Sequence, residues 1–426
     1  MVEYRKHILD NGLTVLTHET WDTPMATVNV LYGVGSRNED PSRTGFAHLF
    51  EHLMFGGTTR VPHFDTVVSS LGGDSNAFTN CDYTDYYITL PAGALATAIA
   101  LEADRMANLD ITQHALEVQQ RVVTEEYHQR YMNQPYGDVW LLLRPLCYKV
   151  HPYRWPTIGA DIRHVGEATL DDVNAFHSRH YRPSNAILAI AAPVSHDEQL
   201  RMVADEFERS GLREVGHNAC GNTPCPKPAQ PEPEPVQRAA RELHVSRAVP
   251  SSKVYLAWHM CGFGSPLFRA CDLLTDVLAN GKSSRLHRHL VMESGLMSEA
   301  DACISGEKDP GLLVLSGTLS PGVDVGEGMD ALRAEAMRLT TEHIDDYELT
   351  KVQNKYENTY LYSQYRAADR ALALCHYTWM GDTDLINREP LEYRKVTPDD
   401  LMQAALDVFR PDNENSLYYE SQGQHN

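Results

Sequence analysis

The chain has 426 residues, 42% hydrophobic and 22% charged, with a formal net charge of −21. That balance describes a globular protein of about two to four domains, not a disordered one. The acidic excess argues for solubility and against nucleic acid as a partner, and no apolar run approaches the roughly 18 residues that a membrane-spanning helix needs.

The first stretch, "MVEYRKHILDNGLTVLTHE", has no apolar segment behind its basic residues. It does not read as a secretory signal, so a cytoplasmic location is expected, or a periplasmic one if a leader has been removed. Within it, two alternating apolar runs flank Asn11-Gly12, which predicts a hairpin. "ATVNVLYGVGS" (26–36) is a third strand pattern. "GFAHLFEHLMFGG" (45–57) is an apolar helix carrying His48, Glu51 and His52. "SNAFTNCDYTDYYITL" (75–90) reads as two strands rich in Thr, Tyr and Phe. Residues 92–109 and 113–132 are helical in pattern, 185–193 is a buried strand and 196–210 a further helix. Eight cysteines (Cys81, Cys147, Cys220, Cys225, Cys261, Cys271, Cys303 and Cys375) include no Cys-x-x-Cys, which points to reduced thiols; Cys220 and Cys225 flank a loop and could pair.

Six prolines in "TPCPKPAQPEPEP" (223–235) allow neither a helix nor a central strand. The expected division is therefore 1–222, a linker at 223–236, and 237–426. The second part repeats the first. "TLDDVNAFHSRHYRPSN" (169–185) aligns with "TPDDLMQAALDVFRPDN" (397–413), and "HLFEHLMFGGTTR" (48–60) with "LLTDVLANGKSSR" (273–285), at nearly the same offset. Two homologous α+β halves follow, each a mostly antiparallel mixed sheet packed by helices. In the alignment His48 faces Leu273, Glu51 faces Asp276 and His52 faces Val277. The fold is thus built once without these side chains, and the first half has them for another reason.

On a helix, His48 and His52 project from one face and can reach one cation; neutral imidazoles suit zinc. Glu51, three residues after His48, is placed to take a proton from a metal-bound water. His-x-x-Glu-His is the inverted zinc-peptidase order. A catalytic zinc needs a third protein ligand, and "LEVQQRVVTEEYHQRY" (116–131) offers Glu117, Glu125 and Glu126. Spacing alone does not choose between Glu125 and Glu126.

With these motifs the chain resembles the pitrilysin-type zinc metallopeptidases, in the branch of the mitochondrial processing peptidases and their bacterial relatives. The resemblance is carried by His48–His52, "LGGDSNAFTNCDYTDYY" (71–87), "LEADRM" (101–106), "RVVTEE" (121–126), "NQPYG…HPYRWPTIG" (133–159) and "YRPSNAILAI" (181–190). It implies a zinc endopeptidase with one Zn²⁺ per chain held by His48, His52 and Glu126. Glu51 would be the general base, and Asn76, Ala77, Phe78 and Thr79 the edge strand onto which peptide substrate adds. Cobalt or manganese could replace zinc in vitro. Relatives often carry an acid where this chain has Gln119. Many also carry an Arg and a Tyr, which hold the substrate carbonyl, in the places of Val291 and Ser298. Their absence implies the zinc-bearing subunit of a heterodimer, half of a clamshell, whose homologous partner supplies the pair; a homodimer is the alternative assembly. The acidic balance makes basic peptides plausible substrates. The alternative function is a non-catalytic core subunit of the same fold.

Overall fold

The computed structural model describes residues 1–212, 230–306 and 308–422. They form two compact units. The first holds Met1–His128, Trp155–Pro231 and Leu361–Arg388; the second holds Gln129–Arg154, Glu232–Tyr360 and Glu389–Asn426.

The first unit is built on strands β1 (Arg5–Ile8), β2 (Thr14–Glu19), β3 (Met25–Tyr32), β4 (Asp74–Thr79), β5 (Thr84–Pro91) and β6 (Ala186–Ala192). Their order across the sheet is β1-β2-β6-β3-β5-β4. Only β2 and β6 pair in parallel. β1 and β2 form the expected hairpin. Gly12 sits at φ +86°, and a Cβ there would lie 2.9 Å from Ser184 Cβ, so the turn requires glycine on both counts. β6, "AILAIAA", is buried on both faces, as a central strand with a continuous apolar run should be.

The second unit repeats this plan with β7 (Arg241–Arg247), β8 (Lys253–His259), β9 (Met297–Ile304), β10 (Leu312–Leu319) and β11 (Glu414–Ser421), in the order β7-β11-β8-β10-β9. Removing β1 makes the two strand orders identical, including the one parallel pair.

The internal repeat reaches individual hydrogen bonds. Thr169 and Asp172 form a capping box at Leu170–His180, and Thr397 and Asp400 form the same box at Pro398–Val408. Gln120 donates to the carbonyls of Val165 and Ala168, both at 2.9 Å; Gln353 donates to those of Tyr393 and Val396, both at 3.0 Å.

The units are not contiguous in sequence. Helix Val139–Cys147 packs on β7, β8 and β11, and helix Ala367–Met380 packs on β3 and β6. Each sheet thus takes the cover for one face from the other half of the sequence, and the two borrowed helices occupy corresponding places in the repeat. The physical reason is that a sheet apolar on both faces needs a helical layer on each. A cut at 223–236 divides the chain at its prolines, whereas the contacts group three separate stretches in each unit. Residues 223–229 of that linker, with Cys220 and Cys225, lie outside the described residues.

Candidate metal centre

The motif helix runs Phe46–Leu53. Phe46, Ala47, Leu49, Phe50 and Leu53 are buried against the first unit, while His48, Glu51 and His52 are partly exposed on the other side. The helix starts at Gly45, with φ +88°, where a Cβ would lie 2.8 Å from the carbonyl oxygen of Ile158. Its first turn is held by the buried Glu39, which accepts from the N–H groups of Gly45 (3.0 Å) and Ala47 (2.9 Å) and from Trp155 Nε1 (3.0 Å). A carboxylate is well placed at the positive end of a helix dipole. Burial pushes its pKa up to about 8 against the pull of those N–H donors.

Glu126 stands on helix Gln113–Tyr127, which begins at Thr112, whose Oγ1 accepts from Ala115 N–H at 3.1 Å. Its Oε2 lies 3.7 Å from His48 Nε2 and 3.3 Å from His52 Nε2. One ligand atom from each of the three residues falls within 4.8 Å of the others. Zinc arms of about 2.05 Å in a tetrahedron place ligand atoms about 3.3 Å apart, so the donor types suit that ion and the two His–Glu126 distances are near its spacing. Among the three glutamates that spacing left open, Glu117 and Glu125 are exposed, Glu117 accepting from Gln113. Glu126 alone of them joins the histidines. Gln119 lies two helical turns before it, on the same helix.

Tyr86 and Tyr181 are buried, and their hydroxyl pKa values are raised by burial first and by the Glu51 charge to a lesser degree. Beneath Tyr86 lies a feature that sequence reasoning gave no role. Arg105 is wholly buried, its guanidinium 4.6 Å from the ring centres of both Phe64 and Tyr86, and it bonds Glu102 at 2.6 Å. This pair is the "LEADRM" segment. Glu39 and Trp155 were likewise missed; their only signals were a lone Glu ahead of the motif and the tryptophan of "HPYRWPTIG".

Asn76–Thr79 belong to β4, the edge strand of the sheet, which packs on the motif helix. In the second unit, helix Phe268–Ala279 buries Leu273 and Val277 completely. The positions that hold imidazoles in the first half are core positions in the second. Val291 lies in the short helical segment His287–Glu293 and packs on that unit's core, and Ser298 on β9 donates to the carbonyl of Thr318 at 3.3 Å. Neither offers a cation or a phenol. Six cysteines, Cys81, Cys147, Cys261, Cys271, Cys303 and Cys375, are free thiols. Among the described residues no helix is long and apolar enough to cross a membrane.

Two repeated α+β units, the first carrying a cluster of two histidines and one glutamate, make up the described chain. Comparison with known proteins shows the fold and the family. The family described as "Insulinase (Peptidase family M16)" matches residues 14–141, and "Peptidase M16 inactive domain" matches residues 167–356. The chain belongs to peptidase family M16. It is 28% identical to zinc protease PqqE of Helicobacter pylori over 418 residues, 96% of this chain and 91% of that one. It is 30% identical to an uncharacterized zinc protease of Mycobacterium tuberculosis over 312 residues, 72% of this chain and 68% of that one. A crystal structure of a protease from Helicobacter pylori superposes with a TM-score of 0.91 at 27% identity, covering 99% of this chain and 100% of that one. Pitrilysin shares the fold, with a TM-score of 0.79 at 18% identity, this chain spanning 45% of it.

Proposed function

We propose that the protein is a zinc-dependent endopeptidase acting on peptides or unstructured segments. The observation that carries this reading is the convergence of His48, His52 and Glu126 with Glu51 on the same short helix. His48, His52 and Glu126 would hold the ion. Bound zinc supplies Lewis acidity, which makes a water acidic and a carbonyl electrophilic near neutral pH. Glu51 takes a proton from the water that attacks the scissile carbonyl carbon and returns it to the leaving nitrogen. Asn76–Thr79 on the edge strand align the peptide by main-chain hydrogen bonding, a mode that tolerates many sequences. Glu39 and the Glu102–Arg105 pair position the motif helix and the tyrosines beside it.

Valine has no side-chain donor and Ser298 donates to Thr318, so neither Val291 nor Ser298 supplies the donors that the Arg/Tyr pair gives the substrate carbonyl. The assembly we infer is a heterodimer with a homologous subunit that supplies an Arg and a Tyr and closes a chamber around the peptide. Glu51→Gln should retain one zinc per chain by atomic absorption and abolish cleavage of a peptide library; surviving cleavage would remove Glu51 as the base. The wild-type chain alone should be weakly active until a homologous subunit bearing the Arg/Tyr pair is added. Full activity of a purified homodimer would sink the heterodimer.

A further inference from the structure

A cavity of ≈ 810 Å³ opens away from the histidines, on the opposite face of the first unit's sheet. Its floor includes Phe78 of β4 with Tyr87 and Thr89 of β5, and its roof is the start of helix Ala367–Met380, with Tyr365 and Arg366. The register explains the placement. Asp74 is opposite Thr89, Asn76 opposite Tyr87 and Phe78 opposite Asp85. Alternation puts Asp74, Asn76 and Phe78 on one face of β4 and Ser75, Ala77 and Thr79 on the other. The second face is that of Tyr86, which is opposite Ala77 and whose ring lies 6.2 Å from that of Phe55, just past the motif helix.

The charges around the cavity are almost all compensated. Asp369 takes a two-point bond from Arg366, at 2.6 and 2.8 Å, and Asp22 pairs with Arg370 at 3.1 Å. Asp74 lines the same cavity, is exposed, and makes no ion pair among the described residues. It is the cavity's uncompensated carboxylate. Four residues along the same strand, and on the same face, Phe78 offers an aromatic surface, with the exposed Tyr365 across from it.

We propose that this cavity is a specificity subsite: Asp74 selects a Lys or Arg side chain of the bound peptide, and Phe78 an apolar or aromatic one four residues away. The inference rests on the reading of β4 as the substrate strand. A strand added beside β4 sends alternate side chains to each face of the sheet. Those on the Glu51 face reach the chemistry, and those on the other face enter the cavity. The volume is within the range of ligand pockets. A long basic side chain can lay its methylene stem on Tyr87 while its charged end meets Asp74. An acidic side chain there would face a carboxylate with no neutralising partner.

The test uses the zinc-loaded Glu51→Gln chain together with the homologous subunit that carries the Arg/Tyr pair, so that binding is read without cleavage. Fluorescein-labelled, otherwise neutral ten-residue peptides carry Lys, or in a matched set Glu, at each position in turn, and anisotropy gives Kd. One position should prefer Lys over Glu by about tenfold. Asp74→Asn should bring that ratio near one and Asp74→Lys should invert it. Phe78→Ala should weaken an aromatic preference four residues away. Asp74 is exposed, so both substitutions should leave the melting temperature within about 2 °C. If peptides bind but the Lys:Glu ratio at every position is the same in Asp74→Lys, the subsite is refuted and β4 binding stands. If no peptide binds the assembled complex with Asp74 intact, the strand reading fails and takes the subsite with it.

Discussion

The packing behind the motif helix should respond to acid through two histidines that no catalytic step uses. His177 stacks on Phe50 of the motif helix, ring centres 6.0 Å apart, and on Tyr181 at 5.6 Å. His180 is 2% exposed and lies 4.6 Å from the Phe176 ring. Burial lowers the pKa of His177 to about 4, and burial followed by the charges of Arg179 and Arg182 lowers that of His180 to about 4. An unfolded histidine takes its proton near pH 6.5, so between about 6.5 and 4 the unfolded chain binds more protons than the folded one. The stability contributed by the neutral rings is complete above about 6.5 and is lost as pH falls toward 4. A difference of about 2.5 for each ring is worth on the order of 3 kcal/mol per histidine. Other groups act in the opposite sense: burial raises Glu39 to about 8 and Asp272 to about 6, which favours the folded state on acidification. The measurement is therefore a difference. Urea unfolding of the metal-free chain at about pH 7.5 and 4.5 is compared with His177→Phe and His180→Phe. Each variant should lose about 2–3 kcal/mol less than wild type between the two pH values. Parallel pH dependence in all three proteins would refute the argument.

Two further outcomes follow from the same geometry. Glu126→Gln should weaken zinc binding at least about a hundredfold in competition with a chromophoric chelator, because even residues that only support a ligand change affinity ten- to a hundredfold. Glu125→Gln, on an exposed position, should leave it within about twofold; equal losses would mean that the assignment between the two glutamates is wrong. Glu102→Leu strands the buried Arg105 charge and should cost about 3–5 kcal/mol, while Glu102→Leu with Arg105→Met should recover most of it. A single substitution costing under about 1 kcal/mol would show that the pair is not held as a buried unit.

Much of the site was readable because its chemistry is local. His48, Glu51 and His52 lie within one and a half helical turns, so spacing alone puts the two imidazoles on one face. The internal repeat was equally readable, since Thr169–Asp172 and Thr397–Asp400 are capping boxes whose residue types are set by the helix terminus they close. The parallel pairing of β2 with β6 and the borrowed helices were not, because they depend on which surfaces remain to be covered after both sheets form.

The amino-acid sequence by itself determined the elements, the repeat and the two histidines, all of which follow from short-range periodicity and turn chemistry. Tertiary structure decided which glutamate meets them. Glu125 and Glu126 are adjacent and chemically alike, but successive helical residues point about 100° apart, and only the packing of Gln113–Tyr127 against the motif helix turns Glu126 inward. It also decided that Glu39 would close the motif helix and that Asp74 would face a cavity away from the metal ligands. Glu39 lies near the helix it closes, but its carboxyl is fixed there by burial and by Trp155 from far along the chain; Asp74 is placed by strand register.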